Sequence, residues 1–154
     1  MKVLYTARAH VVGGREGRAT GAGGHPDVRL QPPPEMGGPA DGAEATNPEE
    51  LFALGYGACF LSALSYVARQ QKISAKAFTL DSEVSIVEGD DGGSSLAVAL
   101  HATMPGVDAA KATELLHAAH DMCPYSRATR GNIEVVLDAR GAAADSQTSN
   151  GEQG

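Results

Sequence analysis

The fold of this chain is decided by one stretch, NPEELFALGYGACFLSALSYVARQQ, which occupies residues 47–71. Asn47, Pro48 and the two acids after them are typical of a helix start: Asn caps free N–H groups, proline suits the first helical position, and acids favour the positive end of the helix dipole. The 18 residues from Leu51 to Ala68 carry no charge, which is the lower edge of membrane-spanning length. Their glycines, serines and tyrosines instead favour a helix enclosed by protein, and we expect no membrane partner.

Alternating apolar residues predict strands on both sides of this helix. The predicted strands cover residues 2–12, 18–20, 27–30, 78–86, 96–104 and 133–138. Asp108 can cap a second helix. The apolar stripe of that helix consists of Ala112, Leu115, Leu116, Ala119 and Cys123. The proline- and glycine-rich residues 31–46 are predicted to form a long loop. Short links between strands favour antiparallel pairing, so the expected class is α+β with antiparallel sheets around a buried central helix.

Length and composition limit the possible functions. The chain has 154 residues, of which 42% are hydrophobic and 20% charged, as in one ordinary globular domain, which we assign to residues 1–140. From residue 141 to 154 the sequence is small and polar, and a disordered tail is expected. The net charge of −7 argues against a nucleic-acid partner. No secretory signal pattern follows Met1, so we expect a cytoplasmic protein whose two cysteines are reactive or merely buried.

The cysteines and two charged residues are the candidates for chemistry. Cys59 lies among small residues in the first helix and Cys123 at the end of the second, and both could equally be core residues. Their spacing alone does not show whether they meet. Arg15 could be a solvated turn residue and Glu49 a helix-start acid. Alternatively, an arginine could stabilise a thiolate in an apolar helix, while a carboxylate orients its guanidinium.

Two other motifs around Cys123 are weak. The segment from Cys123 to Ser126 looks like a monothiol glutaredoxin site, but such a site belongs early in a βαβ unit, whereas this segment follows a late helix. His117, His120 and Cys123 are spaced three apart and spread over about 120° of a helix, with no evident fourth ligand, so a zinc site is not expected.

Four segments of the chain closely resemble the organic hydroperoxide resistance proteins of the osmotically inducible protein C superfamily. They are Tyr5–Ala7, Gly13–Arg18, Asn47–Phe60 and Cys123–Ile133. The resemblance extends over about residues 2–139. It implies an intertwined homodimer and a thiol peroxidase that acts on organic and fatty-acid hydroperoxides. By motif, Cys59 matches the peroxidatic cysteine, Cys123 the resolving cysteine, Arg15 the activating arginine and Glu49 its carboxylate partner. Arg18 matches the second arginine of the turn and is not the one expected to act.

The resemblance also implies a reductant and a pocket. Dihydrolipoyl groups on a protein partner, rather than thioredoxin, would reduce a disulfide between the two cysteines, and no metal or bound cofactor is expected. Phe52, Tyr56 and Phe60 would form an apolar substrate pocket. The competing hypotheses are the osmotically inducible sister branch with the same chemistry, a non-catalytic binder of apolar ligands, and a peroxide sensor, for which no DNA-binding element is visible.

Overall fold

The computed structural model describes residues 1–140, in which the chain forms six strands and three α-helices. The strands are β1 (Ala9–Val12), β2 (Arg18–Gly21), β3 (Asp27–Arg29), β4 (Thr79–Glu88), β5 (Ser94–Thr103) and β6 (Glu134–Arg140). The helices are α1 (Pro48–Gln70), α2 (Ala109–Met122) and α3 (Pro124–Thr129), with single 3-10 turns at Gly14–Glu16 and Pro34–Met36. The predicted α+β class is confirmed. The predicted disordered tail, residues 141–154, lies outside the described residues.

The described residues divide into two compact units, the first covering residues 1–52 and the second beginning at residue 53. Helix α1 begins in the first unit and continues through the second. Our assignment of residues 1–140 to a single domain stays a prediction.

The first unit contains a three-stranded antiparallel sheet in the order β1-β2-β3. Between β1 and β2 the chain turns through Gly13, whose φ of 74° suits glycine, and through Gly17, where a Cβ would collide with the Val12 carbonyl oxygen. The predicted strand over residues 2–12 is confirmed only for Ala9–Val12. The prediction was wrong for residues 2–8, because Ala9 pairs with Gly21, the last residue of the partner strand.

The predicted loop over residues 31–46 is confirmed, apart from its one 3-10 turn. An isolated parallel bridge between Leu30 and Thr46 closes the base of the loop. The next residue, Asn47, caps α1 as predicted, since its Oδ1 atom accepts a hydrogen bond of 2.8 Å from the Glu50 backbone N–H.

Within the single chain, α1 is buried along one face rather than all round. The buried residues of α1 are Tyr56, Phe60, Ala63, Leu64 and Ala68. Outside that face, Leu54 is 69% exposed and Tyr66 is 44% exposed. By length and composition alone α1 could cross a membrane, but the core helices of soluble proteins pass the same test, so one such helix is weak evidence.

The second unit is built on a sheet in the order β4-β5-β6, with α2 packed against β6 and α3. Strands β4 and β5 form the predicted antiparallel hairpin, but β6 runs parallel to β5, with Val98 opposite Val135. The expectation of purely antiparallel sheets was therefore wrong. The reason is that β5 connects to β6 through α2 and α3, and a helical crossover of this length returns the chain in the same direction.

Helix α2 matches its sequence pattern closely. The Asp108 carboxylate caps it by accepting a hydrogen bond of 2.9 Å from the Lys111 backbone N–H. All five residues of the predicted apolar stripe are buried: Ala112, Leu115, Leu116, Ala119 and Cys123. The stripe faces the core of the second unit and ends at a cysteine.

Candidate active site

The two cysteines meet in the core of the second unit. Cys59, on α1, is partly buried, Cys123 is fully buried, and their Sγ atoms lie 3.5 Å apart. A disulfide needs the two sulfurs to be about 2 Å apart, so they would have to approach by about 1.5 Å to form one. The sequence left open whether these thiols meet, and the structure brings them together.

Cys123 occupies the junction between two helices. It is the C-cap of α2, where its N–H donates to the Ala119 carbonyl at 2.8 Å, and it is also the N-cap of α3. Its backbone is extended, with φ −62° and ψ 125°. Pro124 then begins α3, because proline is well suited to the first position of a helix. The thiol is thus presented at a bend between α2 and α3.

Burial controls the acidity of Cys59. It raises the pKa of the Cys59 thiol, a backbone hydrogen bond from Tyr125 lowers this pKa, and the neighbouring Cys123 raises it again. The net direction is upward, away from the thiolate that reacts with peroxides. These groups alone therefore favour the thiol of Cys59 over its thiolate.

Arg15 and Glu49 form a bidentate ion pair in the first unit. Nη1 of Arg15 donates to Oε2 of Glu49 at 2.8 Å, and Nη2 donates to Oε1 at 2.6 Å. The Glu49 side chain is 14% exposed and that of Arg15 is 43% exposed. The hydrogen bonds from Arg15 lower the pKa of Glu49. Arg18, by contrast, pairs with Asp27 through two bonds of 2.7 Å.

The predicted pocket residues differ in accessibility. Tyr56 and Phe60 are fully buried, whereas Phe52 is half-buried and keeps some exposed surface. The Tyr56 hydroxyl is hydrogen-bonded inside the second unit, to Ser126 at 2.9 Å and Thr129 at 3.2 Å. The pocket role of all three residues stays a prediction.

Sequence reasoning missed Ser126 and Thr129. The available signal was their spacing, since they follow Cys123 by three and six residues, while Tyr56 precedes Cys59 by three. Among residues 1–140, no group of three or more His, Cys, Asp or Glu side chains is arranged to hold a metal ion.

Comparison with known proteins gives consistent matches. A family model described as OsmC-like protein matches residues 40–138. The organic hydroperoxide resistance protein of Xanthomonas axonopodis pv. citri is 47% identical over 137 residues, which cover 88% of this chain and 94% of that protein. The crystal structure of the organic hydroperoxide resistance protein OhrB of Bacillus subtilis shares 41% identity with a TM-score of 0.82, covering 90% of this chain and all of that one. Its counterpart from Elizabethkingia anophelis shares 45% identity with a TM-score of 0.83, covering 90% and 98%.

Proposed function

The chain belongs to the OsmC-like family, among the organic hydroperoxide resistance proteins, and on that premise we propose that it is a cysteine-based peroxidase reducing organic and fatty-acid hydroperoxides to alcohols. The observation that carries the proposal is the pair of free thiols 3.5 Å apart in the second unit. One cysteine lies in the middle of α1 and the other at the bend between α2 and α3.

In the first step the Cys59 thiolate attacks the terminal oxygen of the hydroperoxide. A sulfur–oxygen bond forms, the oxygen–oxygen bond breaks, and the alkoxide leaves as an alcohol after taking a proton. The sulfur of Cys59 loses two electrons and becomes a sulfenic acid, while the hydroperoxide gains them.

In the second step the Cys123 thiol attacks the sulfur of the Cys59 sulfenic acid. A disulfide forms and water leaves, with no further electrons required. The cycle closes when an external dithiol, which we propose to be a dihydrolipoyl group on a protein partner, reduces the disulfide by thiol exchange. Such recycling suits the cytoplasm, where dithiols are kept reduced.

We assign Arg15 the task of stabilising the Cys59 thiolate and the charge that develops on the peroxide oxygens. This proposal is supported by the upward direction of the Cys59 pKa, which calls for a cation, and by the two-point contact that fixes the Arg15 guanidinium. Glu49 is then a positioning residue, because it leaves the guanidinium charged while restricting its orientation.

Apolar side chains near the cysteines should favour alkyl hydroperoxides over hydrogen peroxide. We propose that Phe52 contacts the substrate and that Tyr56 and Phe60 contribute to its apolar pocket. Each buried CH₂ group contributes about 0.8 kcal/mol, so selectivity should rise with the chain length of the substrate.

We further propose that the protein is a homodimer. Leu54 leaves a large apolar side chain exposed on α1, and the extended N-terminal residues Val3, Leu4 and Tyr5 are 77–88% exposed. A second copy of the chain would remove this apolar surface from water. Light scattering should give the mass of two chains.

The test of the function is turnover of cumene hydroperoxide with dihydrolipoamide as the reductant. Catalysed consumption, together with a mass spectrum linking Cys59 to Cys123, would support the peroxidase. A folded protein that binds the hydroperoxide but does not consume it would instead be a binder of apolar ligands. Faster turnover with thioredoxin than with dihydrolipoamide would contradict the proposed reductant.

A further inference from the structure

We propose that the buried hydroxyls of Tyr56, Ser126 and Thr129, here called the hydroxyl cluster, position Cys123 so that it captures oxidised Cys59 before a second hydroperoxide can. The inference rests on the proposed peroxidase function. It concerns whether Cys59, once oxidised, forms a disulfide with Cys123 or is oxidised a second time. The three side chains are positioning residues, since they are buried and act through the placement of α3.

The hydroxyl cluster is a second contact between the two segments that carry the cysteines, about one helical turn along the chain from each cysteine. Tyr56 precedes Cys59 by three residues, and Ser126 follows Cys123 by three residues, so each hydroxyl residue is about one helical turn along the chain from its cysteine. The Tyr56 hydroxyl lies 2.9 Å from Ser126 Oγ and 3.2 Å from Thr129 Oγ1, and the sulfurs are 3.5 Å apart. The segment around Cys59 and the segment that begins at Cys123 therefore contact each other at two points, the sulfurs and the hydroxyls.

The position of the Cys123 sulfur depends on how α3 sits on α1. Helix α3 has only six residues, so its own hydrogen bonds fix it weakly. Its contacts with α1 add to these bonds: the Tyr125 and Tyr56 ring centroids are 5.6 Å apart, and a Cβ on Gly55 would lie 3.0 Å from the Tyr125 hydroxyl. The hydroxyl cluster supplies directional bonds at the same contact.

Burial makes this contact resistant to sliding. Tyr56 and Ser126 are fully buried and Thr129 is 6% exposed. Thr129 Oγ1 also donates to the Ser126 carbonyl at 3.1 Å. A displacement of α3 along α1 would leave buried hydroxyls without partners, which is costly away from water. The same displacement would separate the two sulfurs, so the cluster opposes their separation.

The chemical consequence is a competition for oxidised Cys59. In one reaction the Cys123 thiol forms the disulfide bond, the sulfur–oxygen bond of the sulfenic acid breaks, and water leaves. In the other, a second hydroperoxide molecule oxidises the sulfenic acid to a sulfinic acid and leaves as a second alcohol. The first reaction is intramolecular, so its rate follows the fraction of time that Cys123 spends within reach.

The test uses Tyr56→Phe and Ser126→Ala in the full chain, with Ser62→Ala as the matched control. Ser62 is on α1, but its hydroxyl donates to the Ala58 carbonyl of its own helix. After rapid mixing with cumene hydroperoxide and acid quenching, mass spectrometry follows the sulfenic acid, the disulfide and the sulfinic acid. We expect both cluster variants to slow disulfide formation about tenfold and to form sulfinic acid at about tenfold less hydroperoxide. In Ser126→Ala, which changes no residue of the proposed pocket, sulfenic acid formation should stay within twofold of the parent rate, which separates this effect from substrate binding.

A second readout does not depend on peroxide chemistry. In dithiothreitol redox buffers, a tenfold loss of effective concentration between the cysteines makes the disulfide about 30 mV easier to reduce. We expect this shift in both cluster variants and none in Ser62→Ala. The proposal would be overturned if both Tyr56→Phe and Ser126→Ala formed the disulfide at the rate of the parent protein and had its redox potential. A parent protein that never reacts with hydroperoxides would refute the proposed function, while the potentials would still decide whether the cluster positions the cysteines. If one variant does not fold, the other decides, since each removes a different hydroxyl.

Discussion

Replacing Arg15 by alanine should impair the chemistry far more than the fold. The pair between Arg15 and Glu49 is partly exposed, and such pairs contribute about 0.2–1 kcal/mol, so Tm should fall by no more than about 4 °C. A cation within about 4–6 Å of a thiolate, however, lowers the thiol pKa by roughly 1–3 units, each worth about 1.4 kcal/mol. At pH values below the pKa of Cys59, removing this cation should lower the fraction of Cys59 present as thiolate by about 10- to 1000-fold. Arg18→Ala is the matched control, because it too breaks a two-point pair, with Asp27.

The measurement is the rate of Cys59 alkylation by iodoacetamide as a function of pH, in a Cys123→Ser background so that one thiol reports. In Arg15→Ala the midpoint should move to higher pH by at least one unit, and reaction with cumene hydroperoxide at pH 7 should slow at least tenfold. Arg18→Ala should match the parent in both. An unchanged Cys59 midpoint in folded Arg15→Ala would refute the role assigned to this arginine.

Three further changes test the site and the core. Cys59→Ser should abolish turnover, whereas Cys123→Ser should consume about one equivalent of hydroperoxide and then stall or overoxidise; equal activity of the two variants would contradict the roles assigned to the cysteines. Since the pKa of Glu49 is lowered in the folded chain, its pair stabilises above the unfolded pKa of about 4.3 and is lost as pH falls through the lower folded value. Urea unfolding of Glu49→Gln should therefore show a deficit of about 0.2–1 kcal/mol at pH 7 that shrinks as the pH falls below about 4.3, and a deficit that grows in acid would count against this reasoning. Leu100→Ala, in the fully buried face of β5, should lose about 2–5 kcal/mol of unfolding free energy, while Val136→Ala, 46% exposed on β6, should lose much less; similar losses would mean that the buried face of the sheet is misassigned.

Local signals in the sequence were sufficient for the main elements. Asn47 with Pro48, and Asp108, located the starts of α1 and α2, since capping depends on residues next to each other in the chain. The direction of β6 was beyond such signals, because alternation defines the faces of a strand but not its orientation or partner. For the same reason residues 2–8 alternate without being a strand in this chain. Helix α3 is too short to show helical periodicity.

The site was predictable in its parts but not in its geometry. The segments around Cys59 and Cys123 marked both thiols, yet a separation of 64 positions could not show a distance of 3.5 Å. Ser126 and Thr129 were missed because hydroxyl residues are common on surfaces, and their importance depends on burial against Tyr56. Sequence identified residues with reactive chemistry more readily than those that arrange them.

The closeness of the two sulfurs also affects how the molecule unfolds. Bonding them would close a ring containing β4, β5 and α2, since 64 positions separate the cysteines along the chain. A ring of this size restricts the unfolded chain by about 4 kcal/mol in the chain-entropy view. Oxidised molecules would then outlast reduced ones under heat or protease. Resistance to denaturation would thus distinguish molecules that carry the disulfide from those in which both cysteines are reduced.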